Sequence, residues 1–328
     1  METKEEVLAR YKLSSQEHAE IFEVIKAIWT RDKHPVERPI AVIVGGQTGA
    51  GKTGLIGYSK SMFRDGNVMV INSDEFASFH PKIDEFAPLY PEYFTNIQGQ
   101  ETATWTSELF KFARENHYNL IFEGTMWNTR VADDAIADLI RLGYSVIVRG
   151  MAVGDLESKF SVVDRYVNEV KSKGYGRLVQ LDHHDRTYDG MPNTIDYIEQ
   201  NGFFSVLEIF SRNSDDPSMP KLIYSAVNRN DRRLKKTIND NESIDKRLVS
   251  TTNNPFTFES AKDAVIGGRR RSNHSVILRG EFKDKLRKVA DLSKFPEATV
   301  NVHDLIIRYE MEKKKLKNMK PIQSRYCG

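Results

Sequence analysis

Gly46-Gln47-Thr48-Gly49-Ala50-Gly51-Lys52-Thr53 is the stretch of this sequence that decides the fold. It fits the pattern Gly-x4-Gly-Lys-[Ser/Thr], a loop that wraps nucleotide phosphates. The apolar, β-branched run at 39–44 comes before it and predicts a buried parallel strand. Residues 55–60 follow it and can continue as a helix. Strand, loop and helix in this order predict a site for ATP or GTP.

Each residue type in the loop has a physical role. Glycines allow tight turns, which bring successive backbone N–H groups to one anion. The positive end of the following helix faces the same anion. In such a site Lys52 reaches the β- and γ-phosphates, and the Thr53 hydroxyl binds Mg²⁺. The sequence therefore predicts that 46–53 hold the nucleotide.

The composition is that of an ordinary globular protein with a sizeable core. The chain has 328 residues, of which 39% are hydrophobic and 29% charged. Cys327 is the single cysteine, so residues 1–328 cannot form an internal disulfide. The sequence contains no run of apolar residues long enough to span a membrane, and its first residues lack the order of a signal peptide. We expect a cytoplasmic protein without membrane contacts.

Charge is unevenly distributed along the chain. The net charge is +2, but residues 229–328 hold 24 Lys and Arg against 13 Asp and Glu. We predict an N-terminal helical region at 1–37, a P-loop domain at 38–226 and a basic, mainly helical region at 227–328. The basic surplus leaves nucleic acid, an acidic partner or the chain's own acidic part open. Charge runs are usually solvated faces, so nucleic acid is not the expected partner.

Apolar runs after the P-loop alternate between strand and helix patterns. The predicted strands are 67–72, 119–122, 145–150 and 206–210, with a possible edge strand at 221–224. The predicted helices are 14–31, about 101–117, 132–142, 155–173, 191–201 (with the polar stretch 182–186 before it), 281–291 and 302–317. The alternation predicts an α/β fold, a parallel sheet flanked by helices. Ligands of such sheets lie beyond the carboxyl ends of the strands.

Candidate catalytic residues stand at those strand ends. Asp74 follows the second strand and would accept the proton of an acceptor hydroxyl in phosphoryl transfer, although Asp is also a common helix cap. Glu123 ends the third strand, where a carboxylate is costly unless it is paired or lies in a cleft. Arg165 and Arg177 flank the end of helix 155–173. They would stabilise charge on the transferred phosphoryl group, or they are solvated surface charges.

Residues 38–226 resemble the zeta toxin family of epsilon/zeta toxin–antitoxin systems. The resemblance rests on ordered motifs: Gly45–Thr53; Val70–Phe76 with His80-Pro81; Tyr118–Thr125; Gly143-Tyr144 with Met151-Ala152-Val153; Asp164-Arg165-Tyr166; Arg177; His184-Asp185; and Gly202-Phe203-Phe204-Ser205. The P-loop alone is unspecific, whereas Asp74 with His80-Pro81 and the Glu-Gly-Thr strand end is much more specific.

The resemblance implies a kinase that phosphorylates the sugar 3′-hydroxyl of UDP-N-acetylglucosamine and so blocks cell-wall synthesis. It implies that ATP and Mg²⁺ are bound at Lys52 and Thr53, and that Asp74 is the base. Glu123 and Thr125 would contact the amino sugar. Arg165 and Arg177 would clamp the transferring phosphate. A small helical antitoxin would cover the nucleotide site.

Several positions depart from the family pattern. Family members carry a substrate-binding Glu on the helix before the third strand, where this chain has Ser107 and, one place on, Glu108. One residue turns a helical side chain by roughly 100°. Trp127 stands where an Arg is expected, and Ala135 where a Thr is expected. Glu108 therefore stays a candidate substrate contact, and a related UDP-sugar stays open as the acceptor.

Two other functions remain open. A P-loop kinase of an antibiotic or nucleoside, as in chloramphenicol phosphotransferase-like enzymes, would share the P-loop and the early Asp. A nucleotide-dependent switch or nucleic-acid-binding module is the third alternative. No Asn-Lys-x-Asp motif follows the P-loop, and the third strand ends in Glu123 rather than Asp, which disfavours that module.

Overall fold

The sheet that follows from the P-loop strand has six strands. The computed structural model describes residues 2–177, 179, 181–213, 215–216, 218–231, 233–250, 258–279, 282 and 296–318. The strands are β1 (Ile40–Gly45), β2 (Met69–Ile71), β3 (Leu120–Gly124), β4 (Ser145–Met151), β5 (Val206–Ser211) and β6 (Lys221–Val227). Their spatial order is β2-β3-β1-β4-β5-β6. All neighbours pair in parallel except β5 and β6, which are antiparallel.

Helices cover both faces of this sheet. In the described residues the α-helices are α1 (Lys4–Tyr11), α2 (Ser15–Thr30), α3 (Lys52–Lys60), α4 (Ile83–Leu89), α5 (Phe94–Glu115), α6 (Ala137–Arg141), α7 (Asp155–Lys173), α8 (Leu181–Gln200), α9 (Arg233–Asp240), α10 (Ala261–Arg279) and α11 (Pro296–Asn318). Short 3-10 helices lie at Ser73–Phe79 and Lys246–Leu248, and one π-helical turn at Val131–Ile136 leads into α6. The predicted α/β fold with a flanked, mostly parallel sheet and a helical C-terminal region is confirmed.

The core forms two apolar layers because strand side chains alternate between faces. Ala41 and Ile43 of β1 contribute to one layer, with α5, α8 and the start of α10. Ile40, Val42 and Val44 contribute to the other, with α3 and α9. None of the described helices is long and apolar enough to cross a membrane.

The helices differ from the sequence prediction at several places. The polar stretch 182–186 forms the first turns of α8 instead of preceding a helix, because its buried members have partners: Nε2 of His184 lies 2.8 Å from Ser158 Oγ. The sequence did not predict α1, nor α9 in the polar segment after 227. The basic cluster at 267–271 lies inside α10. The predicted helix 302–317 is confirmed within α11, whereas 281–291 falls outside the described residues except for Phe282.

Gly267 and Gly268 explain why the sequence did not predict α10. Gly residues lower helix propensity, but here they allow close packing. A Cβ on Gly268 would lie 2.7 Å from the Cβ of Ala152, which is nearer than atoms can approach. Tertiary contact therefore overrides local propensity, and α10 packs tightly against the end of β4.

A buried ion pair joins the middle of the sheet to the segment after α9. Arg149 Nε of β4 lies 2.7 Å from Glu208 Oε2 of β5, and both side chains are almost fully buried. Arg149 also donates to Ser59 Oγ (2.9 Å), and Glu208 Oε1 accepts from the backbone N–H of Ser250 (3.0 Å). The pair is thus fully hydrogen-bonded, as a buried charge requires.

Replacing Glu208 by Gln leaves the Arg149 charge buried without a counter-ion. We expect the free energy of unfolding to fall by about 3 kcal/mol in urea denaturation. Glu23→Gln, in an exposed pair with Lys26, is the control and should change stability by less than about 0.5 kcal/mol. Equal losses for the two variants would show that the buried pair has no special role.

Candidate active site

The carboxyl ends of the central strands bring the candidate residues to one edge of the sheet. Gly45 at the end of β1 is in register with Gly124 of β3 on one side and Gly150 of β4 on the other. The P-loop starts at the next residue, and Glu123 lies beside Val44. This register explains why motifs about 80 residues apart meet in space.

The P-loop has the backbone geometry that its glycines predict. Gly46, Gly49 and Gly51 all have positive φ, and α3 begins directly after Gly51. At Gly49 (φ 77°) an added Cβ would lie 2.0 Å from the backbone oxygen of Ser158 in α7. The loop therefore touches α7 backbone to backbone, and no side chain fits between them. Thr53 lies exposed in the first turn of α3.

Lys52 turns back over the loop. Its Nζ donates to the carbonyl oxygens of Gly46 (3.0 Å) and Gln47 (3.3 Å) and lies 3.3 Å from Glu123 Oε1. Burial lowers the pKa of Lys52; Glu123 opposes this shift, and the charges of Arg165 and Arg177 add to it. Three cations are thus within electrostatic reach of one another, an arrangement that favours an anionic ligand.

Asp74 does not cap the helix that it enters. Asn72 takes that role, because its Oδ1 accepts from the backbone N–H of Asp74 (3.0 Å). The Asp74 carboxylate instead forms an ion pair with Arg177 Nη1 and lies 3.8 Å from Arg165 Nη1. The carboxylate remains partly exposed, so a hydroxyl group can reach it.

Helix α7 and the turn after it position the two arginines. Arg165 lies in the second half of α7, and the backbone N–H of Arg177 donates to Glu169 Oε2 (2.9 Å) of the same helix. Arg165 Nε and Nη2 and Arg177 Nε are buried and have no hydrogen-bond partner among the described residues. Burial lowers the pKa of Arg177. Buried guanidinium donors without partners suit an incoming phosphate.

The structure therefore brings Lys52, Asp74, Glu123, Arg165 and Arg177 into one group, and their catalytic and binding roles stay predictions. Glu108 takes a different place. Its Oε2 lies 3.1 Å from His18 Nε2 of α2, and Glu101 Oε2 lies 2.6 Å from the other ring nitrogen. The one-residue offset turns Glu108 toward α2, so the structure does not support its assignment as a substrate contact.

Thr125 and Trp127 lie just beyond β3. Met126 between them has a left-handed backbone (φ 52°) and a buried side chain, which turns Trp127 outward so that it is 44% exposed. The guanidinium of Arg186 on α8 lies 5.9 Å from the Trp127 ring centre. An exposed indole and a cation thus stand beside the Glu123–Thr125 strand end.

Sequence reading missed several residues at this site. Arg212, just after β5, donates to the carbonyls of Gly49 and Ala50 (3.3 Å to Ala50) and so holds the P-loop from the far side. The pKa of His183 on α8 is lowered, first by partial burial and then by the nearby positive charges of Arg177, Arg186 and Lys52. No motif marks Arg212 or His183, because their roles depend on which elements the sheet places side by side.

Comparison with known proteins agrees with this geometry. The family described as Zeta toxin matches residues 26–218, more than half of the chain. The chain belongs to the zeta toxin family. The matched segment contains the P-loop, Asp74, Glu123, Arg165 and Arg177 and leaves out all residues after 218.

Curated relatives match the same part of the chain. It is 28% identical to Toxin zeta of Streptococcus agalactiae over 184 residues, which is 56% of this chain and 64% of that protein. It is 28% identical to Toxin PezT of Streptococcus pneumoniae over 188 residues, 56% of this chain and 72% of the relative. The match thus spans just under two thirds of the zeta toxin of S. agalactiae.

A solved structure has the same fold. A chain from the PezAT chromosomal toxin–antitoxin system of S. pneumoniae superposes with a TM-score of 0.58, at 22% identity, covering 80% of this chain and 98% of that one. At this identity the likeness shows the fold and nothing finer.

The donor set of the site fits a magnesium–nucleotide better than a metal bound by protein alone. Among the described residues no group of three or more His, Cys, Asp or Glu side chains could hold a metal ion. Mg²⁺ takes few protein ligands when phosphates supply the others. The exposed hydroxyl of Thr53 beside the loop suits that arrangement.

Gly49→Ala tests the backbone contact between the P-loop and α7. A Cβ at this position meets the Ser158 oxygen and strains a positive φ, so the loop must shift. We expect affinity for inorganic tripolyphosphate, measured by calorimetry, to fall at least roughly tenfold. Gly57→Ala in α3, where a Cβ meets nothing within 4 Å, is the matched control and should bind as the wild type does. Unchanged binding by Gly49→Ala contradicts the prediction.

Proposed function

We propose that the protein is an ATP-dependent kinase that transfers the γ-phosphoryl group to a hydroxyl of UDP-N-acetylglucosamine or a related UDP-sugar. The observation that carries the proposal is the ion-paired group of Asp74, Arg177 and Arg165 opposite the P-loop lysine. A carboxylate that could act as base and two arginines thus lie close to a phosphate-binding loop. Membership of the zeta toxin family supports the same reaction.

The donor half of the site binds and orients the polyphosphate. The P-loop N–H groups and the start of α3 face the phosphates, and Lys52 leaves its carbonyl partners to reach them. Thr53 would hold Mg²⁺, which would offset negative charge on the phosphates. Arg212 and α7 keep the loop backbone fixed while the ligand enters.

The acceptor half supplies the base. A hydroxyl placed between Asp74 and the γ-phosphorus would give its proton to the Asp74 carboxylate as its oxygen forms the new bond to phosphorus. The bond from phosphorus to the β–γ bridging oxygen breaks, and ADP leaves. Arg165 and Arg177, released from Asp74, would turn their free donors to the transferring group. In the ligand-free protein their pairing with Asp74 keeps the three side chains together.

Glu123 and Thr125 would position the sugar, and Trp127 with Arg186 would contact the rest of the acceptor. A flat indole suits a base or the apolar face of a sugar, and Arg186 suits a diphosphate. Trp127 stands where the family has an Arg, so the contacts to the acceptor differ from the family pattern. The proposal therefore includes UDP-sugars other than UDP-N-acetylglucosamine. A kinase of an antibiotic or nucleoside is the alternative, which a panel of acceptors separates.

The biological setting is part of the same proposal. We infer a cytoplasmic toxin that is held inactive by a small helical antitoxin covering the nucleotide site. A related solved structure belongs to a toxin–antitoxin system, which supports a protein partner. Nucleic acid is a weaker candidate, because Arg269 of the basic cluster is buried and contacts the P-loop side chain of Gln47.

Asp74→Asn removes the base and keeps the shape of the side chain. With ATP, Mg²⁺ and UDP-N-acetylglucosamine, mass spectrometry should detect a singly phosphorylated sugar nucleotide from the wild type. The variant should lose roughly 10²- to 10⁴-fold in kcat with little change in ATP affinity. Asp84→Asn, an exposed carboxylate of α4, is the control and should keep full activity.

The outcomes of this assay separate the parts of the proposal. Phosphorylation of another hydroxyl compound but not of UDP-sugars keeps the kinase and rejects the acceptor. ATP binding without any acceptor phosphorylation rejects the kinase. Expression in a bacterial host should arrest growth for the wild type and not for Asp74→Asn, and a harmless wild type counts against the toxin.

Trp127→Ala tests the acceptor side alone. Loss of a stacking surface should raise the KM for the acceptor by roughly five- to a hundredfold, the effect of about 1–3 kcal/mol. The KM for ATP should not change, and Trp127→Phe should recover most of the loss. A rise in both constants, or in neither, would mean that Trp127 does not contact the acceptor.

A further inference from the structure

Helix α10 lies outside the part of the chain that matches the family, and yet it is built into the core beside the nucleotide loop. The family match ends at residue 218. Ala261, Ala264 and Val265 of α10 are fully buried against the sheet layer that contains β1 and β5. The following turns of α10 contact α7, and α7 is the helix that carries Arg165 further along. The helix is therefore close enough to act on the site.

One arginine of the basic cluster points inward. Arg269 is 4% exposed, whereas its neighbours Arg270 and Arg271 lie on the surface. Its guanidinium stacks 3.9 Å from the ring centre of Tyr188 and donates to the Tyr188 carbonyl (2.6 Å). The other terminal nitrogen donates to Gln47 Oε1 of the P-loop (3.2 Å). A side chain from outside the family match thus contacts the phosphate loop directly.

The side chain of Gln47 in the P-loop is fully buried, and both ends of its amide have hydrogen-bond partners. It is 0% exposed, and its Nε2 donates to Val153 O (2.7 Å) and Ser158 Oγ (3.3 Å). With Arg269 on Oε1, both ends of the amide are held. The backbone carbonyl of the same residue accepts from Lys52 Nζ (3.3 Å). Two contacts in series, Arg269 to Gln47 and Gln47 to Lys52, therefore connect α10 to the P-loop lysine.

Among the residues that the structure describes, no carboxylate forms an ion pair with Arg269. Its partners are a ring, a backbone carbonyl, an amide oxygen and the Met191 sulfur, and its Nε is buried without a partner among the described residues. Burial lowers its pKa to about 10, while Tyr188, Asp189 and Asp155 act in the opposite direction. It therefore stays protonated near neutral pH. A buried cation without a paired carboxylate is costly unless an anion comes close.

The same helix anchors the start of α7. Ser272 Oγ accepts from the backbone N–H of Gly154 (2.9 Å), and Asn273 Oδ1 accepts from that of Leu156 (3.3 Å). Ser272 also donates to Glu157, which pairs with Arg212 (3.2 Å), the side chain that holds the P-loop carbonyls. Two separate routes thus connect α10 to the loop, one through Gln47 and one through α7 and Arg212.

We propose that α10 is part of the nucleotide-binding site, and that Arg269 is a positioning residue that fixes the P-loop through Gln47 and adds a buried positive charge behind it. The inference rests on the proposed nucleotide site and extends it to a segment that the family match does not include. It assigns one function to the basic C-terminal region: Arg269, which points inward from the arginine cluster, would support phosphate binding.

The test compares Arg269→Met with Arg270→Met in the full-length protein. Calorimetry should show ATP and inorganic tripolyphosphate binding weakened roughly tenfold in Arg269→Met, the size of a lost charge-assisted hydrogen bond. Arg270→Met, next in sequence but exposed, should bind both within about twofold of wild type. Adenosine, which has no phosphates, should bind the wild type and Arg269→Met equally. Arg269→Lys keeps the charge but not the planar fork, so its loss should be intermediate.

Coupling between the two side chains is the second measurement. If Arg269 acts through Gln47, the losses of Arg269→Met and Gln47→Met should not add in the double variant. Equal losses for ATP and adenosine would show general damage to the fold and overturn the inference, as would additive losses or equal effects at 269 and 270. If Arg269→Met does not fold, Arg269→Lys and Gln47→Met decide the question. A wild type that binds neither ATP nor tripolyphosphate rejects the nucleotide site itself.

Discussion

The contact between the P-loop backbone at Gly49 and the backbone of Ser158 in α7 is the constraint on which the site depends. A Cβ does not fit there, so the loop needs a glycine to lie this close to the helix. Helix α7 also carries Arg165 and leads to Arg177. The P-loop is therefore packed directly against the helix that positions the two arginines. Under the proposed function, a shift of α7 would affect both phosphate binding and the geometry of the acceptor side.

Ser158 makes this contact specific. Its side chain is buried; it accepts from Gln47 Nε2 (3.3 Å), and it lies 2.8 Å from His184 Nε2. Burial lowers the pKa of His184 to about 4, so the imidazole is neutral near pH 7. In the neutral ring Nδ1 carries the hydrogen and donates it to the Asp185 carboxylate (3.0 Å), while Nε2 accepts from the Ser158 hydroxyl. Loop, α7 and α8 are thus joined by a buried polar network whose members have partners, as such networks require.

The sequence predicted the donor half of the site well and the acceptor half less well, for physical reasons. The P-loop is a local motif, so its residues and its flanking strand and helix are adjacent in the chain. Asp74 and Glu123 were predictable because parallel strands end at one edge. The place of Glu108 was not predictable, because an offset of one residue on α5 decides whether its side chain faces the site or α2. In the structure it contacts His18 of α2. Arg269 and Arg212 look like any other arginine in the sequence. Only their contacts with the P-loop in the folded chain distinguish them.

Ion pairs within the site offset most, but not all, of its positive charge. Asp74 pairs with Arg177 and lies near Arg165, Glu123 lies beside Lys52, and the Gly46 and Gln47 carbonyls accept the remaining Lys52 hydrogens, so three cations stand against two carboxylates. Under the proposed function, a polyphosphate would compete for the same cations and so free Asp74 and Glu123 to face a hydroxyl compound. This exchange of ion pairs would favour binding of the donor before the acceptor. Arg269 stands outside the exchange, because its partners are neutral groups, and it remains a fixed positive charge behind the loop throughout.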